Sequence, residues 1–144
     1  PPPHFFLHAH AGIPDPLWSR GLGDVYKRQA YDNKIETIKS NQEIISGIYP
    51  VPLPGHTPGH SGFRVDDENK SFVQMGDVLH APNLQLSNPN ISVLFDVDLE
   101  NGMKSRKQVF DMVCNDKIIC SGGHMLEPKF GYLERFQNGY KFVT

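Results

Sequence analysis

The strongest constraint on the fold of this chain is a histidine-containing loop at residues 54–61, which read Pro-Gly-His-Thr-Pro-Gly-His-Ser. His56 and His60 are four residues apart, a spacing that in a helix would place both side chains on one face. Pro58 and Gly59 lie between them, and neither residue type suits a helix interior. The segment is therefore predicted to be a tight, rigid loop that presents imidazole groups at the start of the following strand.

Two further segments place a metal-binding side chain just after an apolar strand. Asp77 follows Met75 and Gly76, and His124 follows a strand that ends in two glycines. Two imidazoles and one carboxylate are a ligand set that suits Zn²⁺, with Fe or Mn as alternatives. The pattern predicts that His60, Asp77 and His124 converge on one metal site.

Length and charge narrow the classes of function. The chain has 144 residues, enough for one domain, and its 14 Lys and Arg against 16 Asp and Glu give a net charge of −2. This balance argues against nucleic acid as a partner. The sequence has no apolar run of about 18 residues and no basic region at its start, so neither a membrane span nor a signal peptide is predicted. Cys114 and Cys120 lack a paired metal-binding spacing and are expected to be ordinary buried thiols.

The first 29 residues differ in character from the remainder. They contain five of the twelve prolines and the single tryptophan, and they show no sustained helical or strand period. Residues 11–29 resemble a translated sequencing adapter, so we expect segment 1–29 to be a non-native or disordered stretch and exclude it from the fold. His8 and His10 form an HxH pair within it, and we interpret them as incidental. Residues 30–144 are then a partial domain.

The rest of the chain alternates short strands with one clear helix. Asp98 is a suitable N-cap for a helix over residues 99–115, and residues 80–90 form a long polar loop. Asn138 and Gly139 indicate a closing hairpin. This order predicts a mixed α/β fold with one main helix and a terminal hairpin. Strands are expected over residues 44–53, 61–66, 71–75, 117–120, 133–136 and 140–143.

The predicted helix is amphipathic. Its apolar face carries Met103, Phe110, Val113 and Cys114. The basic residues Lys104, Arg106 and Lys107 are expected to fall elsewhere on the helix, away from this face.

Together these motifs resemble the later motifs of the metallo-β-lactamase-fold hydrolases. The resemblance rests on residues 54–61, the Gly76-Asp77 pair and the Gly123-His124 pair, and it extends over about residues 44–143. Residues 76–98 and 123–131 most resemble the lactonase-like and organophosphate-hydrolase-like subgroup.

The resemblance implies a role for each motif residue. His60 would bind the first of two metals, Asp77 would bridge both and act as the catalytic carboxylate, and His124 would bind the second. His56, Thr57 and His80 would support the loop or contact substrate. The implied reaction is hydrolysis of an ester, lactone or phosphotriester-like bond of a small molecule by a hydroxide held between two Zn²⁺ ions.

One family motif is missing, because nothing between residues 30 and 44 supplies the expected HxH followed by Asp-His. We therefore expect the chain to be the C-terminal half of an αββα sandwich, truncated and inactive in isolation. Alternatives are a non-catalytic scaffold or binding domain, or a nuclease or thioester hydrolase of the same fold. The oligomeric state is open, as is the compartment, with the cytoplasm slightly favoured.

Overall fold

The structure is a computed structural model that describes residues 38–40, 42–125 and 130–144. These residues lie in the second of two compact units into which the chain divides, Ile38–Thr144. The separation of residues 1–29 from the rest, together with His8 and His10, falls outside the described residues and stays a prediction. Among the described residues, no helix combines the length and the apolar character that a membrane crossing requires.

The described part is built around a four-stranded mixed sheet. Its strands are β1 (Ile48–Pro52), β2 (Ser61–Asp67), β3 (Lys70–Gln74) and β4 (Ile119–Ser121). They are adjacent in chain order, with antiparallel pairing between β1 and β2 and between β2 and β3, and parallel pairing between β3 and β4. The predicted hairpin at residues 61–75 is confirmed, and its two-residue turn consists of Glu68 and Asn69.

Two helices and a 3-10 turn connect β3 to β4. The 3-10 turn Gly76–Val78 is followed by the short helix α1 (Pro82–Gln85), which lies inside the predicted polar loop, and then by the long helix α2 (Leu99–Asn115). The predicted start of α2 is confirmed, because the Asp98 carboxylate accepts a hydrogen bond from the backbone N–H of Asn101 at 3.0 Å.

The buried face of α2 differs from the predicted one. Phe110 and Val113 are buried as expected and Val109 is buried beside them, whereas Met103 and Cys114 are only half-buried. The prediction for Arg106 was wrong, since this side chain is fully buried among backbone carbonyls of the preceding loops. Hydrophobic periodicity cannot identify an inward-facing arginine, because its burial depends on acceptors that come from distant segments.

A separate antiparallel hairpin closes the fold, formed by β5 (Tyr132–Phe136) and β6 (Gly139–Val143). Its turn lies one residue earlier than the Asn138-Gly139 signal indicates. Gly139 pairs with Phe136 inside the strand, and Gln137 takes the positive φ of 51°. Gly139 is required instead by close packing, since a Cβ at this position would collide with the backbone oxygen of Leu86.

The hydrophobic core lies between one face of the sheet, α2 and the closing hairpin. Val73 and Met75 are fully buried on that face, whereas Phe63 and Val65 on the opposite face are 38% and 36% exposed. Cys120 is in the core as predicted, and burial raises its thiol pKa to about 12. The core residues are Leu53, Val73, Met75, Val78, Leu79, Leu86, Val109, Phe110, Val113, Ile118, Cys120, Leu133 and Tyr140.

Candidate metal centre

His60 joins the histidine loop to the 3-10 turn. Its Nδ1 donates to the carbonyl oxygen of Leu53 at 2.8 Å, and its Nε2 accepts from the backbone N–H of Asp77 at 2.9 Å. Gly76 permits this approach, because its φ is +59° and a Cβ there would lie 2.7 Å from Nε2 of His60. The loop and the turn are therefore held together by one imidazole.

Asp77 lies between two other histidines. Its Oδ1 is 3.4 Å from Nε2 of His124, and its Oδ2 is 3.6 Å from Nε2 of His56. Gly123 lets His124 approach, because a Cβ at position 123 would collide with the Asp77 carboxylate. The Asp77 side chain is 42% exposed, so it faces both these imidazoles and solvent.

His80 completes a compact set of donors. Its ring stacks on His124 with centroids 4.6 Å apart and lies 4.8 Å from the ring of His56. Ligand atoms of Asp77, His80 and His124 all lie within 4.8 Å of one another. Burial, reinforced by the neighbouring imidazoles, lowers the pKa of His80 below its usual value, which favours the neutral ring.

Gln85 holds the backbone that carries His80. The buried Oε1 of Gln85 accepts from the N–H groups of His80 and Ala81 at 2.8 and 2.9 Å, and its Nε2 donates to the Ile91 carbonyl at 3.0 Å. All of these polar atoms are satisfied inside the protein. The position of His80 thus depends on a glutamine that the sequence patterns did not indicate.

A second donor group overlaps the first and contains His56, His80 and Asp96. Nδ1 of His56 is 3.3 Å from Oδ1 of Asp96, and Nη2 of Arg106 is 3.5 Å from Oδ2 of the same carboxylate. The side chains of Asp96 and Arg106 are each 1% exposed. The sequence analysis missed both of them, because nothing in the local pattern separates Asp96 from the helix-capping Asp98.

The structure brings some predicted site residues together and leaves others apart. Asp77 and His124 are adjacent, and His56 and His80 border them. His60 contacts the backbone of Asp77 but belongs to neither donor group.

Thr57 is exposed, and it supports the loop with its backbone carbonyl, which accepts from the N–H groups of Gly55 and His60. The assignment of His60, Asp77 and His124 to metals, and of Thr57 to a supporting role, stays a prediction.

The donor chemistry fits a zinc ion. One carboxylate and two imidazoles are ligands that Zn²⁺ accepts. Nδ1 of His80 is buried and has no hydrogen-bond partner within the described part of the chain, a condition that buried nitrogens rarely tolerate. The residues present are therefore compatible with a metal at Asp77.

Comparison with known proteins places this geometry in a fold class. No family model matches the chain. Among solved structures, AidC, a dizinc quorum-quenching lactonase in complex with a product, superimposes with a TM-score of 0.77 and 19% identity, covering 96% of this chain and 50% of AidC. The hydrolase AbOPH of the beta lactamase superfamily superimposes with a TM-score of 0.77 and 24% identity over the same shares. The chain therefore has the metallo-β-lactamase fold, and the resemblance seen in its motifs is confirmed.

Similar curated proteins are N-acyl homoserine lactonases. One from Bacillus sp is 27% identical over 94 residues, which cover 65% of this chain and 37% of that relative. Another, from Bacillus cereus, is 24% identical over 94 residues with the same coverage. The chain thus spans little more than a third of the curated relatives' length and half the length of AidC and of AbOPH.

Proposed function

We propose that this chain is part of a metal-dependent hydrolase that cleaves ester, lactone or phosphotriester-like bonds of small molecules. The observation that carries the proposal is the approach of donor atoms of Asp77, His80 and His124 to within 4.8 Å of one another. The first substrate class to test is an N-acyl lactone, because AidC was solved with the product N-hexanoyl-homoserine and the curated relatives are lactonases.

Asp77 and His124 would hold a zinc ion in this proposal, and His60 would hold another once its Nε2 exchanges the N–H of Asp77 for the metal. Bound Zn²⁺ supplies Lewis-acid polarisation of a carbonyl or phosphoryl oxygen and lowers the pKa of bound water from about 15.7 to about 7. Fe or Mn could occupy the same donors.

The protein's own groups orient the reactants. Asp77 presents a half-exposed carboxylate between two imidazoles, which fixes the direction of its two oxygens. Burial lowers the pKa of His80, and its ring lies beside Phe95, with ring centroids 6.0 Å apart. Phe95 is 73% exposed, so it offers apolar surface to a substrate that approaches His80.

The 144-residue chain alone is expected to be a weak metal binder. The described residues place three donors in the group around Asp77, whereas a two-metal site needs about twice as many. We therefore propose that two zinc ions and substantial activity require the longer protein, and that the isolated chain hydrolyses these substrates negligibly.

The test joins residues 30–144 to the reading frame that precedes them in the genome. We expect that frame to encode an HxHxDH motif and the joined protein to open an N-acyl homoserine lactone only when zinc is present. Asp77→Asn should remove zinc and activity together, while the matched change Asp67→Asn, in the exposed β2–β3 hairpin, should alter neither. Loss of activity without loss of zinc, or normal activity in Asp77→Asn, would contradict the proposal. A scaffold protein would retain its fold and partners in both variants.

A further inference from the structure

Four charged or titratable side chains form a continuous path from the core to the candidate metal centre. Arg106 contacts Asp96, Asp96 contacts His56, and His56 faces Asp77. The two inner members are almost completely buried, and a buried ion pair is costly to the folded state unless its geometry is good. The mechanism proposed above does not use this pair, so its presence needs a separate explanation.

Arg106 holds the backbone around the site with two of its three nitrogens, and the third, Nη2, remains for Asp96. Its Nε donates to the Val78 carbonyl at 2.8 Å, and its Nη1 donates to the carbonyls of Pro89 and Ile91 at 3.0 and 2.9 Å. Nη2 then points at Oδ2 of Asp96. Because Oδ2 is engaged by the guanidinium, Oδ1 is the oxygen that faces His56.

This contact determines which ring nitrogen of His56 carries the proton. An ionised carboxylate only accepts hydrogen bonds, so Nδ1 of His56 must be the donor at 3.3 Å. In a neutral imidazole the other nitrogen, Nε2, is then an acceptor. Nε2 points at Oδ2 of Asp77, 3.6 Å away, so that two acceptors face each other.

We propose that Asp96, anchored by Arg106, is a positioning residue that fixes the tautomer and the orientation of His56 and turns its bare Nε2 toward Asp77. Two facing acceptors attract a cation or a donated hydrogen placed between or beside them. Asp96 therefore increases the affinity of the Asp77 group for zinc without touching the metal. The part of this inference that concerns zinc rests on the proposed function, whereas the part that concerns the His56 tautomer does not.

The test is nitrogen-15 NMR of the imidazole groups in the full 144-residue chain at mildly alkaline pH, without metal. We expect His56 to carry its proton on Nδ1. In Asp96→Asn the amide oxygen must turn to Arg106, because two donors cannot face each other, and the amide NH₂ then faces Nδ1 of His56. The proton of His56 should therefore move to Nε2, where it bonds to Asp77, and zinc affinity should fall about ten-fold.

Asp98→Asn is the matched control, because Asp98 lies two residues away and caps α2 without touching His56. It should leave both the His56 tautomer and the zinc affinity as in the unchanged chain. If Asp96→Asn does not fold, the His56 tautomer in the unchanged chain still tests the inference. A proton on Nε2 of His56 in the unchanged chain, or an unaltered tautomer in folded Asp96→Asn, would overturn the inference.

Zinc titration of the unchanged chain separates this inference from the proposed function. Loss of the Nδ1 proton of His56 on adding zinc would mean that the ion binds between His56 and Asp96, and it would overturn the positioning role. Retention of that proton, with a tautomer that depends on Asp96, supports the positioning role. If that dependence holds but the joined longer protein binds no zinc, the positioning of His56 by Asp96 stands and metal-dependent hydrolysis is contradicted.

Discussion

Buried polar side chains organise the surroundings of the candidate centre. Arg106 donates to three backbone carbonyls and to Asp96, and Gln85 satisfies two N–H groups and one carbonyl. Each bonds to loop backbone that forms no ladder of its own, so these side chains supply hydrogen bonds that regular secondary structure would otherwise provide. The backbone of His80 is held by Gln85, and the side chain of His56 contacts Asp96, which Arg106 anchors, so both imidazoles are oriented by buried polar groups.

Asp66 gives a test of the electrostatics at the level of one residue. The Ser71 hydroxyl donates to its Oδ1 at 2.6 Å and Arg64 donates to the same oxygen at 2.8 Å, which lowers the pKa of Asp66. A carboxyl whose pKa is lower in the folded state stabilises the fold above its unfolded pKa, and this stabilisation is lost as pH falls through the folded pKa.

We expect Ser71→Ala to raise the pKa of Asp66 and to lower the free energy of unfolding at neutral pH. The difference in free energy of unfolding between Ser71→Ala and the unchanged chain should narrow as pH falls through the lowered pKa of Asp66, because Asp66 then gains a proton in both proteins. Urea unfolding over this pH range measures it. Ser92→Ala, whose hydroxyl contacts a backbone carbonyl, is the control, and a pH-independent difference for Ser71→Ala would contradict the expectation.

At the level of elements, the sequence predicted the features that depend on residues close together in the chain. The start of α2 followed from the Asp98 cap, and the β2–β3 hairpin followed from alternating apolar residues around a polar turn. Gly139 shows where such signals fail. It was interpreted as a turn residue, but it lies in β6 because it packs against the backbone at Leu86, which is distant in sequence.

The same distinction applies to the candidate site. Asp77 and His124 were predicted to converge because each follows an apolar strand, and the structure places those strands, β3 and β4, side by side. Asp96 and Arg106 could not be found in this way, because their role depends on a contact between the loop that precedes α2 and a residue in the middle of α2. His80 was noticed only through its nearness in sequence to Asp77.

Arg106 provides the prediction at the element level, because it fastens α2 to the loops. Arg106→Met leaves Asp96 buried without its charge partner and removes donors from three carbonyls, so we expect the free energy of unfolding to fall by about 3–5 kcal/mol. The neighbouring Lys107 is exposed, and Lys107→Met should change the free energy of unfolding by less than about 0.5 kcal/mol. Urea unfolding of both variants gives the comparison, and equal values for the two would show that Arg106 does not anchor the loops.

At the level of the whole molecule, the described residues form a sheet with one buried face, one main helix and a closing hairpin. Three chain-distant segments, at residues 54–60, 76–80 and 123–124, meet at one edge of this sheet. The fold is shared with hydrolases of the metallo-β-lactamase type. A cation that binds to this chain should therefore bind at that edge.

The location of the metal site is tested most directly by anomalous diffraction at the zinc absorption energy, from crystals of the 144-residue chain soaked in zinc. We expect a zinc peak about 2.0–2.2 Å from a carboxylate oxygen of Asp77 and from a ring nitrogen of His124. Crystals of Asp77→Asn grown and soaked in the same way should lack the peak. Zinc bound only elsewhere, or an empty Asp77–His124 edge at saturating zinc, would contradict a metal centre at this position.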